Sequence, residues 1–370
     1  MNVSKFVRPA AEGADPFGTA RLRRGVLDAW ATSPARFRED ANAEEDLVLG
    51  GYRDRLVVEL AQNAADAAAR AGVPGRLRLT LREGVLVAAN TGAPLDAAGV
   101  ESLSTLRASA KRDAPDRAVG RFGVGFAAVL AVTDEPAVVG RHGGIRWSLA
   151  EARELAGDTA RHSPGLGDEV RRRDGHVPLL RLPFAAEGTA PGPYDTAVIL
   201  PLRDTAAADL AERLLNAVDD ALLLALPGLE EVVVETGDAE PRTVSRRTED
   251  GLTVVEDSRD GTTRWRTAAA HGPLTPDLLA DRPVEERLRP YWSVTWAVPV
   301  DSDGTPPGPA PAPSSTRPPR ATSPSACPPS SSRPSRWTPP AGTPPPARSP
   351  TSSYSAPPTP TPGSSPTGAR

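Results

Sequence analysis

The chain carries one cysteine, Cys327, and only two lysines, Lys5 and Lys111. A single thiol excludes an internal disulfide framework and a multi-cysteine metal centre. The four histidines, His142, His162, His176 and His271, lack the close spacings that metal sites use. No stretch approaches the roughly 18 apolar residues that a membrane-crossing helix needs. Residues 1–18, MNVSKFVRPAAEGADPFG, hold no apolar targeting core, so a soluble cytoplasmic protein is expected. A phosphate loop of the form GxxxxGK[ST] is missing as well, which leaves P-loop chemistry unsupported. The scarcity of lysine beside abundant arginine, in a chain rich in Ala, Gly and Pro, reads as the codon bias of GC-rich DNA.

Aliphatic residues also run out. Beyond residue 303 there is no Val, Leu, Ile, Met or Phe, yet roughly half of the 42 prolines lie there. Such a stretch cannot bury enough surface to offset the entropy of ordering its backbone, so residues 304–370 read as a disordered tail. Its Pro/Ser/Thr/Arg monotony, without one acidic residue, fits either a genuine tail or a shifted reading frame. PxxP spacings occur by chance at this density. The formal charge of −4 is the sum of an acidic body and a basic tail, and the body presents no basic face for nucleic acid.

Within the body, helical periodicity begins at 18–32, with Leu22, Val26, Leu27 and Trp30 at core spacing and Asp15 and Pro16 as cap and first turn. A mostly polar stretch, 33–46, leads into a helix-length segment at 51–72. Residues 76–81 and 85–90, linked across Gly84, predict a β-hairpin. A turn at 91–94 and a helix over 97–106, capped by Asp96, follow. Strands are expected at 137–141, 145–149, 179–184 and 196–202, then a helix at 206–226. Short strands at 231–235, 252–255, 263–266 and 292–298 suggest a small mixed region. Helices and strands interleave without a βαβ repeat, so the expected class is α/β, a mixed sheet layered against helices. Residues 1–203 are read as one domain, 204–303 as a small partial α/β region, and 304–370 as the tail.

Three stretches carry chemistry. At about 100° per residue, Glu59, Asn63 and Asp66 share one face of the 51–72 helix, while Val57, Leu60, Ala64, Ala68 and Ala71 lie away from it. The second stretch is the turn VAANTGAPL at 87–95. The third is GRFGVGF at 120–126, leading into the apolar AAVLAV. That run predicts a buried helix starting close to Gly123, with backbone N–H groups facing outward for an anion.

In order and content, ELAQNAADA, NTG and GRFGVGF resemble the ATP-binding domain of the GHKL superfamily, most of all its sacsin-type and ninety-kilodalton heat-shock chaperone members. The resemblance spans residues 54–202. It implies a two-layer sandwich of the Bergerat type, with ATP and magnesium as ligands. Carried over residue by residue, it implies Glu59 as the general base that polarises the attacking water and Asn63 as the magnesium ligand. Asp66 is implied as a polar contact near the nucleotide, against the alternative of a solvated acid near the helix end. Asn90 stands where the family usually has the aspartate that accepts from the adenine amino group. Gly92 matches the first glycine of that turn, and Pro94 replaces the second. Gly120, Gly123 and Gly125 correspond to the lid glycines around the triphosphate, and Phe126 to the residue packed behind them. Ser109 and Lys111 fall in the lid segment, Lys111 as a phosphate contact. Thr196 matches the threonine that closes the site from a strand, preceded by Asp195 where glycine is usual.

The implied function is magnesium-dependent ATP hydrolysis coupled to a protein client, with no nucleic-acid or membrane partner and the oligomeric state left open. The alternative is a nucleotide-gated interaction module with little or no turnover, favoured by Asn90 and by the loss of ordered sequence where a middle domain would supply a cation. A histidine-kinase reading lacks an acceptor, because no histidine precedes His142.

Overall fold

Helices begin where side chains satisfy the donors that no helical carbonyl reaches. After the short strand β1 (Val7–Pro9), the Asp15 carboxylate accepts the N–H groups of Thr19 (2.8 Å) and Ala20 (2.9 Å), and α1 runs Thr19–Thr32. α2 follows at Pro34–Leu49, with proline at the position where its missing N–H costs nothing. A 3-10 turn at Arg53–Arg55 leads into α3, Leu56–Ala71, which stops at Gly72 in the left-handed conformation (φ 65°). β2 (Gly75–Arg82) and β3 (Val85–Asn90) form the expected hairpin. Glu83 and Gly84 both take positive φ between them, the geometry that two-residue hairpin links require. α4 is Ala97–Ser104, with Asp96 accepting from Gly99 at 2.7 Å.

The computed structural model describes residues 7–49, 53–104, 125–281, 287, 290–301 and 304–306, all within one of the chain's two compact units, Met1–Ser330. The remaining described elements are a 3-10 turn at Gly125–Ala131, β4 (Ala137–Gly140), β5 (Gly143–Arg146), α5 (Leu149–Ala160) and α6 (Pro164–Arg172). Then come β6 (Phe184–Gly188), β7 (Thr196–Pro201), α7 (Thr205–Asn216), α8 (Asp220–Ala225), β8 (Leu229–Thr236), β9 (Arg242–Glu249), β10 (Leu252–Asp257), β11 (Gly261–Pro273), α9 (Pro276–Leu279) and β12 (Tyr291–Val300).

Among the described residues all twelve strands join one sheet in the order β1-β6-β5-β4-β7-β3-β2-β8-β9-β10-β11-β12. β2 and β8 pair in parallel and the other neighbours pair antiparallel, so the class is α/β with a large mixed sheet. The β2–β8 ladder carries the sheet without a break from the first two hundred residues into 204–303. The main core lies between the sheet and its helices, around Trp30, Phe37, Leu56, Leu79, Leu86, Trp147 and Leu215. A smaller apolar cluster, including Val87, Val139 and Ile199, occupies the other face of β3, β4 and β7. Among the described residues no helix is long and apolar enough to cross a membrane.

Several local expectations change. The polar stretch at 33–46 is helical because Phe37 and Ala41 are fully buried, Phe37 meeting Trp30 edge-on at 5.1 Å. The single helix at 206–226 is two, since Asp219 caps a new start by accepting from Ala221 at 3.0 Å. The strand expected at 145–149 ends at Arg146. Ser148 then caps α5 by accepting from Glu151, the S-x-x-E pattern that marks a helix start. Residues 179–181 form a 3-10 turn rather than a strand, and β6 begins only at Phe184. The reason is tertiary. The carboxylate of buried Glu44 accepts the N–H groups of Leu179 (2.7 Å) and Leu180 (3.0 Å), donors that a strand would spend on a neighbour. Beside it Arg181 donates to Asp40 (2.8 Å) and to the Ser104 carbonyl (3.0 Å), and Trp30 Nε1 donates to Asp40 (2.9 Å). This buried network ties α1, α2 and the end of α4 to that turn.

Candidate functional site

α3 presents its polar stripe along the side opposite the core residues Val57, Leu60, Ala64 and Ala68. The Glu59 side chain is only 12% exposed and pairs with Arg55, one turn earlier, at 3.2 Å. Burial pushes its pKa up, and the Arg55 guanidinium partly opposes the shift. Asn63 is half-buried one turn on. Asp66 is 2% exposed, which rules out the solvated-acid alternative and places it in the packed interior beside the stripe.

The glycine segment meets this stripe directly. A Cβ added to Gly125 would lie 2.0 Å from Glu59 Oε2, so the backbone there rests against the carboxylate as only glycine allows. Phe126, 4% exposed, packs on Trp147 with ring centroids 5.5 Å apart, which holds the start of that turn in the core. Described residues 125–131 form a 3-10 turn where an α-helix was expected. Ser109, Lys111, Gly120 and Gly123 lie outside the described residues, as does the expected helix start at 123.

The NTG turn docks on the other end of the same helix. Gly92 has φ 127°, and a Cβ there would come within 2.4 Å of the Ala67 carbonyl carbon. Ala93 N–H donates to Ala67 O at 2.9 Å. Asn90, the last residue of β3, is 8% exposed and donates through Nδ2 to the Thr91 carbonyl at 3.0 Å. That commits its nitrogen and leaves Oδ1 as the acceptor. Thr196 stands directly opposite Asn90 in the β3–β7 register, and its buried Oγ1 has no partner among the described residues.

Asp195, noted in the sequence only as a departure from a usual glycine, turns out to stitch these pieces together. Its Oδ2 accepts from Gly92 N–H at 2.8 Å, its own N–H donates to Asn90 O at 2.9 Å, and Oδ1 pairs with Arg141. Arg55 was also missed, although its i,i+4 spacing to Glu59 is a readable helix pair. The structure therefore brings together Glu59 with Gly125, Gly92 with the backbone of α3, and Asn90 with Thr196. About 12 Å of helix axis separates Glu59 from Ala67, at 1.5 Å rise per residue.

Among the described residues no cluster of three or more His, Cys, Asp or Glu could hold a metal ion. The Asn63 side-chain oxygen is a neutral ligand that the stripe could offer a hard cation. A cleft between β1, α1 and β6, lined by Asp15, Arg23, Arg146 and Phe184, is separate from the α3 stripe. A scan of family models gives no match to the chain, and no curated protein matches it.

Proposed function

We propose that the chain binds ATP with magnesium along the polar stripe of α3 and hydrolyses it, with Glu59 as general base. The observation that carries this reading is the contact between the Glu59 carboxylate and the backbone of Gly125. Burial pushes the Glu59 pKa up, which makes its carboxylate a stronger proton acceptor than an exposed one, and it is set against a glycine backbone. At the far end of the stripe, the Asn90 carbonyl oxygen and the Thr196 hydroxyl, which has no partner among the described residues, suit the base of a nucleotide, and the Asn90 acceptor favours an amino-bearing purine. The helix between them gives the separation that a base and a terminal phosphate need. Asn63, one turn beyond Glu59, would offer a neutral oxygen to magnesium, and the bound ion would supply positive charge to polarise the transferred group.

The sheet with helices layered against it supports a Bergerat-type arrangement for residues 1–203. Action on a protein client comes from the family resemblance alone, and a cytoplasmic setting is proposed with it from the sequence expectation. A second reading, a nucleotide-gated module without turnover, is favoured by Asn90 in the place of an aspartate and by the ion pair that occupies Glu59.

Equilibrium ATP binding and magnesium-dependent phosphate release by the full chain test both. Glu59→Ala is expected to abolish release and keep binding, whereas binding without release in the unaltered chain selects the module. Undiminished turnover in Glu59→Ala, or no ATP binding by folded protein, overturns the proposal.

A further inference from the structure

The outermost strands are built unlike the rest of the sheet. β10 pairs with β11 only as far as Trp265, so from Arg266 onward β11 has β12 as its sole strand partner among the described residues. The result is a two-stranded ribbon, 266–273 against 291–298, projecting past its neighbours. Such ribbons are marginal in water unless a third strand joins them.

Among the described residues the free edge is β12, Tyr291–Val300, and its sequence YWSVTWAVPV contains no charged residue. Edge strands are ordinarily protected by charge, by a bulge, by proline along their length or by being very short. β12 has ten residues, rich in aromatic and β-branched types, with its one proline near the end. On one face Trp292, Val294, Trp296 and Val298 alternate along the strand. Trp296 is 68% exposed, Val298 45% and Trp292 39%, and Tyr291 on the other face is 58% exposed. Covering these exposed side chains would remove roughly 500 Å² from water, before the edge backbone is counted. A standard interface buries about 800 Å² per partner. The proline-rich tail is a poor occupant for this edge, because proline has no N–H to offer a ladder.

We propose that β12 is a self-association edge, through which two copies of this chain pair antiparallel about a two-fold axis. The joined ribbons form a four-stranded sheet, β11-β12 of one copy continuing into β12-β11 of the other. A register with Thr295 on the axis sets Trp296 of one copy beside Val294 of the other, and Trp292 beside Val298. These are aromatic–aliphatic cross-strand pairs on a shared face. The edge carries no charge to oppose its own image, which an isologous contact requires.

Sedimentation equilibrium of the full chain, from about 1 to 100 μM, is expected to give twice the monomer mass. Trp296→Lys, checked for folding by circular dichroism, should raise the dissociation constant about 30-fold or more, as loss of a central aromatic anchor does. Thr295→Cys in a Cys327→Ser background should form a copy-to-copy disulfide on mild oxidation, since directly opposed strand residues lie within bridging reach. This variant keeps the test valid if the lysine variant fails to fold. A folded monomer at 100 μM overturns the proposal, whether its edge is bare or covered by its own chain. So does a dimer that neither Trp296→Lys weakens nor Thr295→Cys links.

Discussion

Gly125→Ala separates the chemistry of the α3 stripe from its stability. The added Cβ would sit 2.0 Å from Glu59 Oε2 and 2.9 Å from Cδ, so the carboxylate must move by more than an ångström. The obstructed group is the end of a flexible side chain, which gives way cheaply. Its movement breaks the Arg55–Glu59 pair, whose arginine is 43% exposed and whose contribution is therefore within about 1 kcal/mol after screening. Replacing glycine restricts the unfolded chain and returns about 0.4–1 kcal/mol. The two effects nearly cancel, and the melting temperature should stay within about 4 °C. Catalysis is less forgiving: a misplacement of about 1 Å at a general base costs on the order of 100-fold. Phosphate release under single-turnover conditions, beside a thermal melt of the same sample, measures both. Gly92→Ala is the contrasting control, because its Cβ would strike the backbone of Ala67 and Ala68, which cannot rotate away, at a φ that L residues rarely adopt. It should lose about 3 kcal/mol or more of stability. Turnover retained in Gly125→Ala while Glu59→Ala is dead would refute the inference that this contact positions the base.

Three further expectations follow from side chains with unusual surroundings. Thr196→Val removes a buried hydroxyl that has no partner among the described residues, so stability should hold or rise by about 1 kcal/mol. ATP affinity, read by calorimetry, should fall about 5- to 30-fold, and unchanged affinity would remove Thr196 from the site. Because burial raises the Glu59 pKa and Arg55 lowers it, the base is increasingly active as pH climbs through that raised value. Arg55→Ala should therefore move the acidic limb of the kcat profile to higher pH, and a limb that stays put argues against Glu59 as its source. Burial lifts Glu44 to about 7, so the folded chain keeps a proton that the unfolded chain releases. Stability should decline as pH rises from about 4.5 to 7, with the Leu179 and Leu180 N–H groups, Arg181 and Asp40 as the facing groups. Glu44→Gln should flatten that slope in denaturant titrations, and an undiminished slope would assign it elsewhere.

What could be read in advance was whatever local chemistry decides. The β2–β3 hairpin was legible because its alternation and its Glu-Gly link act within a dozen residues, and α3 because its apolar spacing ends on a glycine. The break between α7 and α8 was readable too, through Asp219, but the continuous leucine pattern outweighed it. The turn at Leu179–Arg181 was beyond reach, since its backbone donors are claimed by Glu44 from far away in the chain. At the site, the motif order singled out Glu59 and Gly125 separately, and their contact is visible only in the fold. Asp195 looked like a mere substitution, because nothing in one sequence reveals that its carboxylate meets Gly92 N–H and Arg141.

The parallel ladder between β2 and β8 places the joint of the sheet between two segments distant in the chain. Some hundred and fifty residues separate the two strands. Every strand from β9 to β12 is attached through β8. Joining the outer five strands to the rest of the sheet therefore depends on a ladder between distant segments, the slow kind of closure. A lesion in that one ladder, such as a proline at Val233, would leave the inner seven strands to hold together and release the outer five as a block.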